Sequence, residues 1–584
     1  MLPTYIWFAL FISVIPFGTA AAASFDCSKA TTDVERTICG NEQLSLQDDL
    51  LAKTYEEVLS VSKQVTEQKA TQRKWLKSVR NTCADATCLS TAYSERIHEL
   101  KKLVLPGNDH KACGGEIKKV LDLALAIDSQ IPDSARTTVY GQMNDGSLNY
   151  GGYWLRTDIS LMYTRLRCWQ SARDVIGKIG QEHLQESSNA SLSIDYAKSG
   201  YLGPALDVLD SLKSEEAFSA SAYGIAEALV VTGRIEQAKD VIMRVTTRWR
   251  HLESPSYWLI ESLVKSGRLT EAGNIIEDIN HTWNEYLALA RAYMNAGKKD
   301  LAEIHIQNAM SMAGDDPDAT AHVQEWAAQI YIDAEEFDKA YNAASGILRP
   351  LGKLQAYLRL AEALHRAKRL SRSDEMYSKA IATISEIEGD DKSSEIGSAC
   401  SYISKSYGQA GNVKKVQSTV ATLCPDKSWK SVALGGAINE LAKLGDVNGA
   451  QLLQSMLELV WKNDADGPIA VAHAHKREYE QAASMTRGIT NESIRSNTVR
   501  RMAALTPPPN VITDWLRDTK TFKHDAHRAA AVQVLSAALA RSKSSANAMA
   551  WLETQPPALE KARGYLGIAQ GLLGIIPGTG SPGD

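Results

Sequence analysis

Ile225-Ala-Glu-Ala-Leu-Val-Val-Thr-Gly233-Arg-Ile-Glu-Gln-Ala238-Lys-Asp-Val-Ile242 is the stretch whose reading decides the fold. Ile225, Ala226 and Leu229 recur at helical spacing before the glycine, and Val241 and Ile242 do so after it, so two amphipathic helices flank a turn. Glycine ends the first helix because it adopts the left-handed conformation at little cost, and Ala238, one turn into the second, lets the two backbones approach.

The same signal recurs along most of the chain. It appears as Gly200-Tyr-Leu-Gly-Pro-Ala205, Gly267-Arg-Leu-Thr-Glu-Ala272, Gly297-Lys-Lys-Asp-Leu-Ala302 and Gly445-Asp-Val-Asn-Gly-Ala450, with degenerate copies ending at Ala172, Ala340, Ser373, Val416, Ala482 and Ala546. Successive turns fall 33, 34 and 30 residues apart at the start of the series, and a longer step before Gly411 reads as an inserted loop at Glu388–Ser394. A hairpin of this period cannot bury its apolar faces alone, whereas a stack of them can. The array resembles tetratricopeptide repeats, with which it shares period and turn chemistry although the fuller family signature is incomplete. That resemblance implies an α-solenoid of helix-turn-helix repeats, over residues 157–505, continued by C-terminal helical repeats at 506–576. Thr506-Pro-Pro-Pro-Asn510 reads as a bend between the two, and the Gly/Pro-rich end, 577–584, as a disordered tail.

Cys400 and Cys424 lie 11 residues before and 13 after Gly411. Antiparallel helices place them at one level, which predicts a disulfide. Tyr223, Tyr257, Tyr286, Trp326 and Tyr357 all stand nine to eleven residues before the turn of their own repeat. An aromatic fixed to the repeat phase reads as scaffold.

Ahead of the array the chain changes character. Residues 2–25 carry no charge, the apolar run Tyr5–Phe17 is too short to span a membrane, and small residues come after it, so 1–23 reads as a signal peptide cut near Ala23. The alternative is an uncleaved anchor, and membrane association is expected only in that case. Export places the eight cysteines in an oxidising environment, where pairing is the expectation rather than metal ligation, since no histidine stands at ligand spacing beside Cys83-x4-Cys88. Over residues 24–105, Thr32 or Asp33 caps a short helix ending near Gly40, Leu44 to Leu59 mark a long helix, and a second runs through Trp75 and Leu76. With a turn near Ser62–Thr66 this hairpin brings Cys27, Cys39, Cys83 and Cys88 to one end, where two bridges staple it in one of three possible pairings. Cys113 and Cys168 remain as the last pair.

The motif Cys27-Ser-Lys-Ala-Thr-Thr-Asp-Val-Glu35-Arg-Thr-Ile-Cys39, with Leu51-x-x-x-Tyr55, Gln72-Arg-x-Trp75-Leu76-x-x-x-Arg80-x-x-Cys83 and Cys88-Leu89-x-x-x-Tyr93-x-x-Arg96-Ile97-x-x-Leu100 after it, resembles the LprI-type domain of bacterial exported proteins. The resemblance covers about an eighth of the chain and implies a periplasmic or secreted helical module whose namesake inhibits lysozyme. Glu35, Arg80 and Arg96 read either as a binding surface or as groups that orient helix ends.

Between module and array, residues 106–156 hold a first helix and a Gly- and aromatic-rich loop. Tyr140, Tyr150, Tyr153 and Trp154 in that loop either present contacts to a partner or belong to an ordered connector. Catalytic motifs are absent: no Gly-x-Ser-x-Gly, no phosphate loop, no His-Glu-x-x-His and no dinucleotide fingerprint. His473-x-His475 and His524-x-x-His527 lack an obvious carboxylate or cysteine partner and read as surface histidines. A net charge of −5 with pI near 6.2 lacks the basic stripe that nucleic-acid binding requires.

The chain is thus expected to be all-α, a disulfide-stapled helical hairpin module followed by a tetratricopeptide-like solenoid. The leading functional expectation is an exported, non-enzymatic scaffold without cofactor or metal that holds a protein or peptide of the cell envelope, with no nucleic-acid ligand. The alternative is inhibition of a lysozyme-like enzyme by the N-terminal module.

Overall fold

The computed structural model describes residues 23–61, 65–104, 113–131, 152–248, 255–278, 282–389, 391–575 and 577. Among them are thirty α-helices and no strand. Packing divides the chain into two compact units: the first holds the residues up to Pro106 together with Tyr201–Asp207, and the second holds the rest. The predicted signal segment lies outside the described residues except for Ala23, as does the predicted tail except for Pro577.

In the first unit, α1 (Asp33–Cys39), α2 (Glu42–Val61), α3 (Val65–Ser78) and α4 (Ala86–Val104) stand in the expected order. Thr32 caps α1 in a capping box with Glu35. The Glu35 carboxylate accepts from the backbone N–H groups of Thr31 and Thr32 at 2.8 and 3.0 Å, which holds its pKa down at about 2. The expected hairpin turn falls between α2 and α3, yet α2 packs chiefly on α4. Ile38, Leu44, Leu51 and Val58 meet Leu89, Tyr93, Ile97 and Leu100, and Trp75 of α3 closes over them. The bridges join Cys27 to Cys39 and Cys83 to Cys88. Each therefore closes a short local loop instead of stapling one arm of the hairpin to the other, and cohesion between the arms comes from side chains.

The second unit opens with α5 (Gly115–Asp128) and α6 (Gly152–Arg165). From α6 to Glu553 there are twelve helical pairs, each turning at one residue with φ between 52 and 89°. Glycine holds six of these turns; Arg167, Glu335, Lys368, Arg477, Thr506 and Lys543 hold the others. Five residues after the turn stands the small residue of the repeat. Ala172, Ala205, Ala238, Ala272, Ala302, Ala340, Ser373, Val416, Ala450 and Ala482 are all at most 2% exposed. In the last pair that position is Ala548, fully buried, and the expected Ala546 faces solvent. The turn residue here is Lys543, and without a glycine to mark it the expected position fell two residues early.

Two other expectations are corrected. Thr506-Pro-Pro-Pro-Asn510 is an ordinary hairpin turn, because Thr506 supplies the left-handed residue and Pro509 stands at N1 of the next helix, where its missing N–H costs nothing. No boundary therefore separates 506–576 from the repeats before it. The array also starts earlier than 157, since α6 begins at Gly152 and takes Tyr153 and Trp154 into its first turn. The cysteines Cys400–Cys424 and Cys113–Cys168 are bonded, the latter joining the start of α5 to the first hairpin.

The last helix, Leu559–Leu572, packs along Asp525–Arg541 on one side and against α5 and α6 on the other. The two ends of the array thereby supply the halves of a thirteenth helical pair and close the repeats on themselves. Every residue from Ala529 to Ala540 is buried, which only an apolar, alanine-rich helix tolerates. A Cβ on Gly567 or Gly571 would run into the backbone carbonyl of Gln533 or Ala537, so glycine is required for the approach. Arg563, only 1% exposed, pairs with Asp158 of α6 and donates to Gln533 Oε1 at 3.2 Å.

Candidate binding groove

Within the module, the charged positions serve its architecture. Tyr93 Oη donates to Asp48 Oδ1 at 2.6 Å, Arg96 Nε donates to Gln72 Oε1 at 3.0 Å, and the Arg96 guanidinium lies 6.0 Å from the Trp75 ring centre. Burial and the Asp48 carboxylate push the Tyr93 phenol well above its ordinary range. Glu35 is spent on the cap of α1, and Arg80 Nε donates to Asn81 at 3.0 Å. Of the three charged positions only Arg96 is buried, and it links α4 to α3.

Of the predicted contact aromatics, Tyr140 and Tyr150 lie outside the described residues, as does the side chain of Tyr153. Trp154 is half-buried on α6. Of the histidine pairs, His475 and His524 are exposed as expected, whereas the His473 side chain is 12% exposed and its Nδ1 lies 2.6 Å from Glu478, a carboxylate beyond the helix end. His527 is half-buried, and burial lowers its pKa. No cluster of three or more metal-ligating side chains occurs among the described residues.

A groove of about 370 Å³ opens instead across three consecutive hairpins. Its walls come from their first helices, Pro255–Lys265, Trp283–Asn295 and Pro317–Asp333. Tyr257 and Trp258 stand at the start of the first, Trp283, Asn284, Leu287, Ala288 and Arg291 share one face of the second, and Trp326 comes from the third. The second helix is anchored by a capping box in which Glu285, fully buried, accepts from Thr282 N and Oγ1 at 2.9 and 2.7 Å.

The rings are backed by other groups. Trp258 stacks on Tyr223 with centroids 5.2 Å apart, Trp283 stacks on His322 at 6.1 Å, and the Arg291 guanidinium lies 4.7 Å from the Trp326 centroid. Trp258 and Trp326 nevertheless remain 47% and 44% exposed. This corrects the scaffold reading of Tyr257 and Trp326. A shared repeat phase says that side chains occupy one face, and here that face is open. Among the described residues no carboxylate lines the groove, and no acceptor reaches the buried Nε of Arg291.

The fold defines the class: an all-α chain in which a disulfide-bonded helical module precedes a tetratricopeptide-like solenoid. Residues 27–100 match the family described as Lysozyme inhibitor LprI. None of the curated proteins matches the chain. Similar solved structures include the human IFIT1 dimer with m7Gppp-AAAA, 13% identical over 77% of this chain and 95% of that one with a TM-score of 0.26. Ton1535 from Thermococcus onnurineus NA1 is 14% identical over 59% and 98%, with a TM-score of 0.21. In the APC/C hetero-tetramer Cut9-Hcn1 the match is 14% over 86% and 88%, with a TM-score of 0.22. Likeness at such scores brings no ligand or partner to this chain.

Proposed function

We propose that the protein is an exported, non-catalytic scaffold that holds a protein partner in the periplasm or outside the cell. The observation that carries this reading is the exposed apolar side chains on the first helices of three consecutive hairpins, Tyr402, Val432 and Trp461, which are 40%, 41% and 37% exposed. Aromatic and branched side chains left open on a rigid repeat surface favour protein contacts. Export is supported by pairing of all eight cysteines, which reducing compartments disfavour. The module adds a second surface. Capture from an envelope extract by the full chain, compared with a Tyr402→Ala/Trp461→Ala variant, tests the reading. A partner lost with the variant supports it, whereas equal capture by both removes the array surface from the account. Cell fractionation with an antibody tests export.

The LprI match favours a second reading, inhibition of a lysozyme-like enzyme through the module. Titrating the chain into a muramidase turnover assay decides it: stoichiometric loss of activity would bring this reading forward.

A further inference from the structure

We propose that the groove between Pro255–Lys265 and Pro317–Asp333 is a glycan subsite, which takes a carboxylate-bearing sugar unit by stacking it on Trp258 and Trp283 while Arg291 receives the carboxylate.

Three features of the groove support this assignment. The first is shape. Apolar peptide side chains are held in closed, fully desolvated pockets, but Trp258 and Trp326 keep nearly half of their surface open and present planes, not a pit. Pyranose rings have a flat C–H face that lies well on such a plane, with hydroxyls turned to polar neighbours. Asn284 and Thr282 line the same groove as the rings. Stacking of Trp258 on Tyr223 and of Trp283 on His322 holds these platforms in place before any ligand arrives, so little freedom is lost on binding.

The second feature is charge. Among the described residues Arg291 is the one charged side chain of the lining, and no carboxylate faces it there. No ion pair of Arg291 occurs among the described residues, in contrast to Arg244, Arg268, Arg349 and Arg372 of neighbouring repeats, which pair with Asp210, Glu271, Glu325 and Asp338. A guanidinium held over Trp326 at the groove wall, with no carboxylate beside it among the described lining residues, can offer its Nη groups to a ligand carboxylate. It also disfavours a cationic ligand, which an aromatic cage alone would accept.

The third is size. The groove volume of about 370 Å³ suits one or two sugar rings, so a longer glycan would extend past its open ends.

The site is separate from the surface proposed for a protein partner, so either can fail alone. The test uses the full oxidised chain and monitors tryptophan fluorescence during titration with trigalacturonate, N-acetylmuramic acid and N-acetylneuraminic acid. Methyl-esterified trigalacturonate and tetraglutamate serve as the neutral sugar and the acidic peptide. Saturable quenching by a carboxylated sugar is expected, weakened about tenfold or more by esterification, the loss of one charge-assisted contact. Trp258→Ala, at an exposed position, should abolish binding, and Arg291→Gln should erase the difference between acid and ester while Arg291→Lys keeps part of it. The proposal is overturned if none of the three carboxylated sugars saturates the signal, if acid and ester bind alike, if Trp258→Ala binds as the parent does, or if tetraglutamate binds as well as the sugars.

Discussion

The module and the array solve one problem, burying helical faces, by different means. In the module four helices share a core of about ten side chains, and covalent bonds compensate for its small size: Cys27–Cys39 and Cys83–Cys88 span 12 and 5 residues. In the array each pair buries its faces against neighbours, and the problem moves to the ends, where a repeat stack has an unpaired apolar face. Here the ends meet each other: Leu559–Leu572 fills the gap between Asp525–Arg541 and α5. The module thus depends on local chemistry, and the array on a contact between positions 405 residues apart, Asp158 and Arg563.

The largest expected effect bears on that contrast. Chain-entropy estimates give about 3 kcal/mol for the 12-residue loop and about 2 kcal/mol for the 5-residue one. Replacing Cys27, Cys39, Cys83 and Cys88 with serine should therefore unfold the module while the array keeps its helicity, giving proteolysis confined to residues before 106. Loss of the array along with the module would undo the contrast. Next comes Gly567→Leu, which drives a side chain into the Gln533 carbonyl and should cost the array about 3 kcal/mol. Calorimetry should show the array transition lowered and the module transition unmoved.

Smaller effects are expected inside the repeats. Gly233→Ala places a Cβ at φ 79° and should cost about 1 kcal/mol, whereas Arg477→Gly, at φ 63°, should gain somewhat less than 1 kcal/mol. Denaturant melts of the two variants should move in opposite directions. The smallest effect concerns pH. Because hydrogen bonds hold the Glu35 pKa at about 2 in the folded module, below its ordinary 4.5, its contribution is present above 4.5 and is lost as pH falls towards 2. Glu35→Gln should flatten that limb of the module's Tm against pH.

How far the sequence revealed this depends on the range of each interaction. Turns such as Gly233 and Gly267 were legible because the left-handed residue and the alanine five positions on act within one hairpin. The turns at Glu335, Arg477 and Thr506 carry the same conformation without glycine, and the prolines after Thr506 read as an interruption because proline so often ends a helix. Cys400 and Cys424 were legible as a bridge from their nearly symmetric placement about Gly411. In the module, family likeness located the cysteines, but their local pairing, and the packing of α2 on α4, depend on tertiary contacts such as Tyr93 to Asp48. The groove was hidden for a different reason: periodicity places Tyr257 and Trp326 on one face without saying whether a neighbour covers it. Gly564, Gly567 and Gly571 stand in plain view as a close-packing signal, while the helix they approach and the Asp158 that meets Arg563 are set by closure alone.

Closure is the property on which the contrast rests, and hydrogen exchange on a chain truncated after Gln555 probes it without intermediaries. Removal of Leu559–Leu572 should leave the middle repeats protected and strip protection from α5, residues 115–128, together with Asp525–Arg541. Unchanged protection of α5 in the truncated chain would show that the array does not depend on closing its ends.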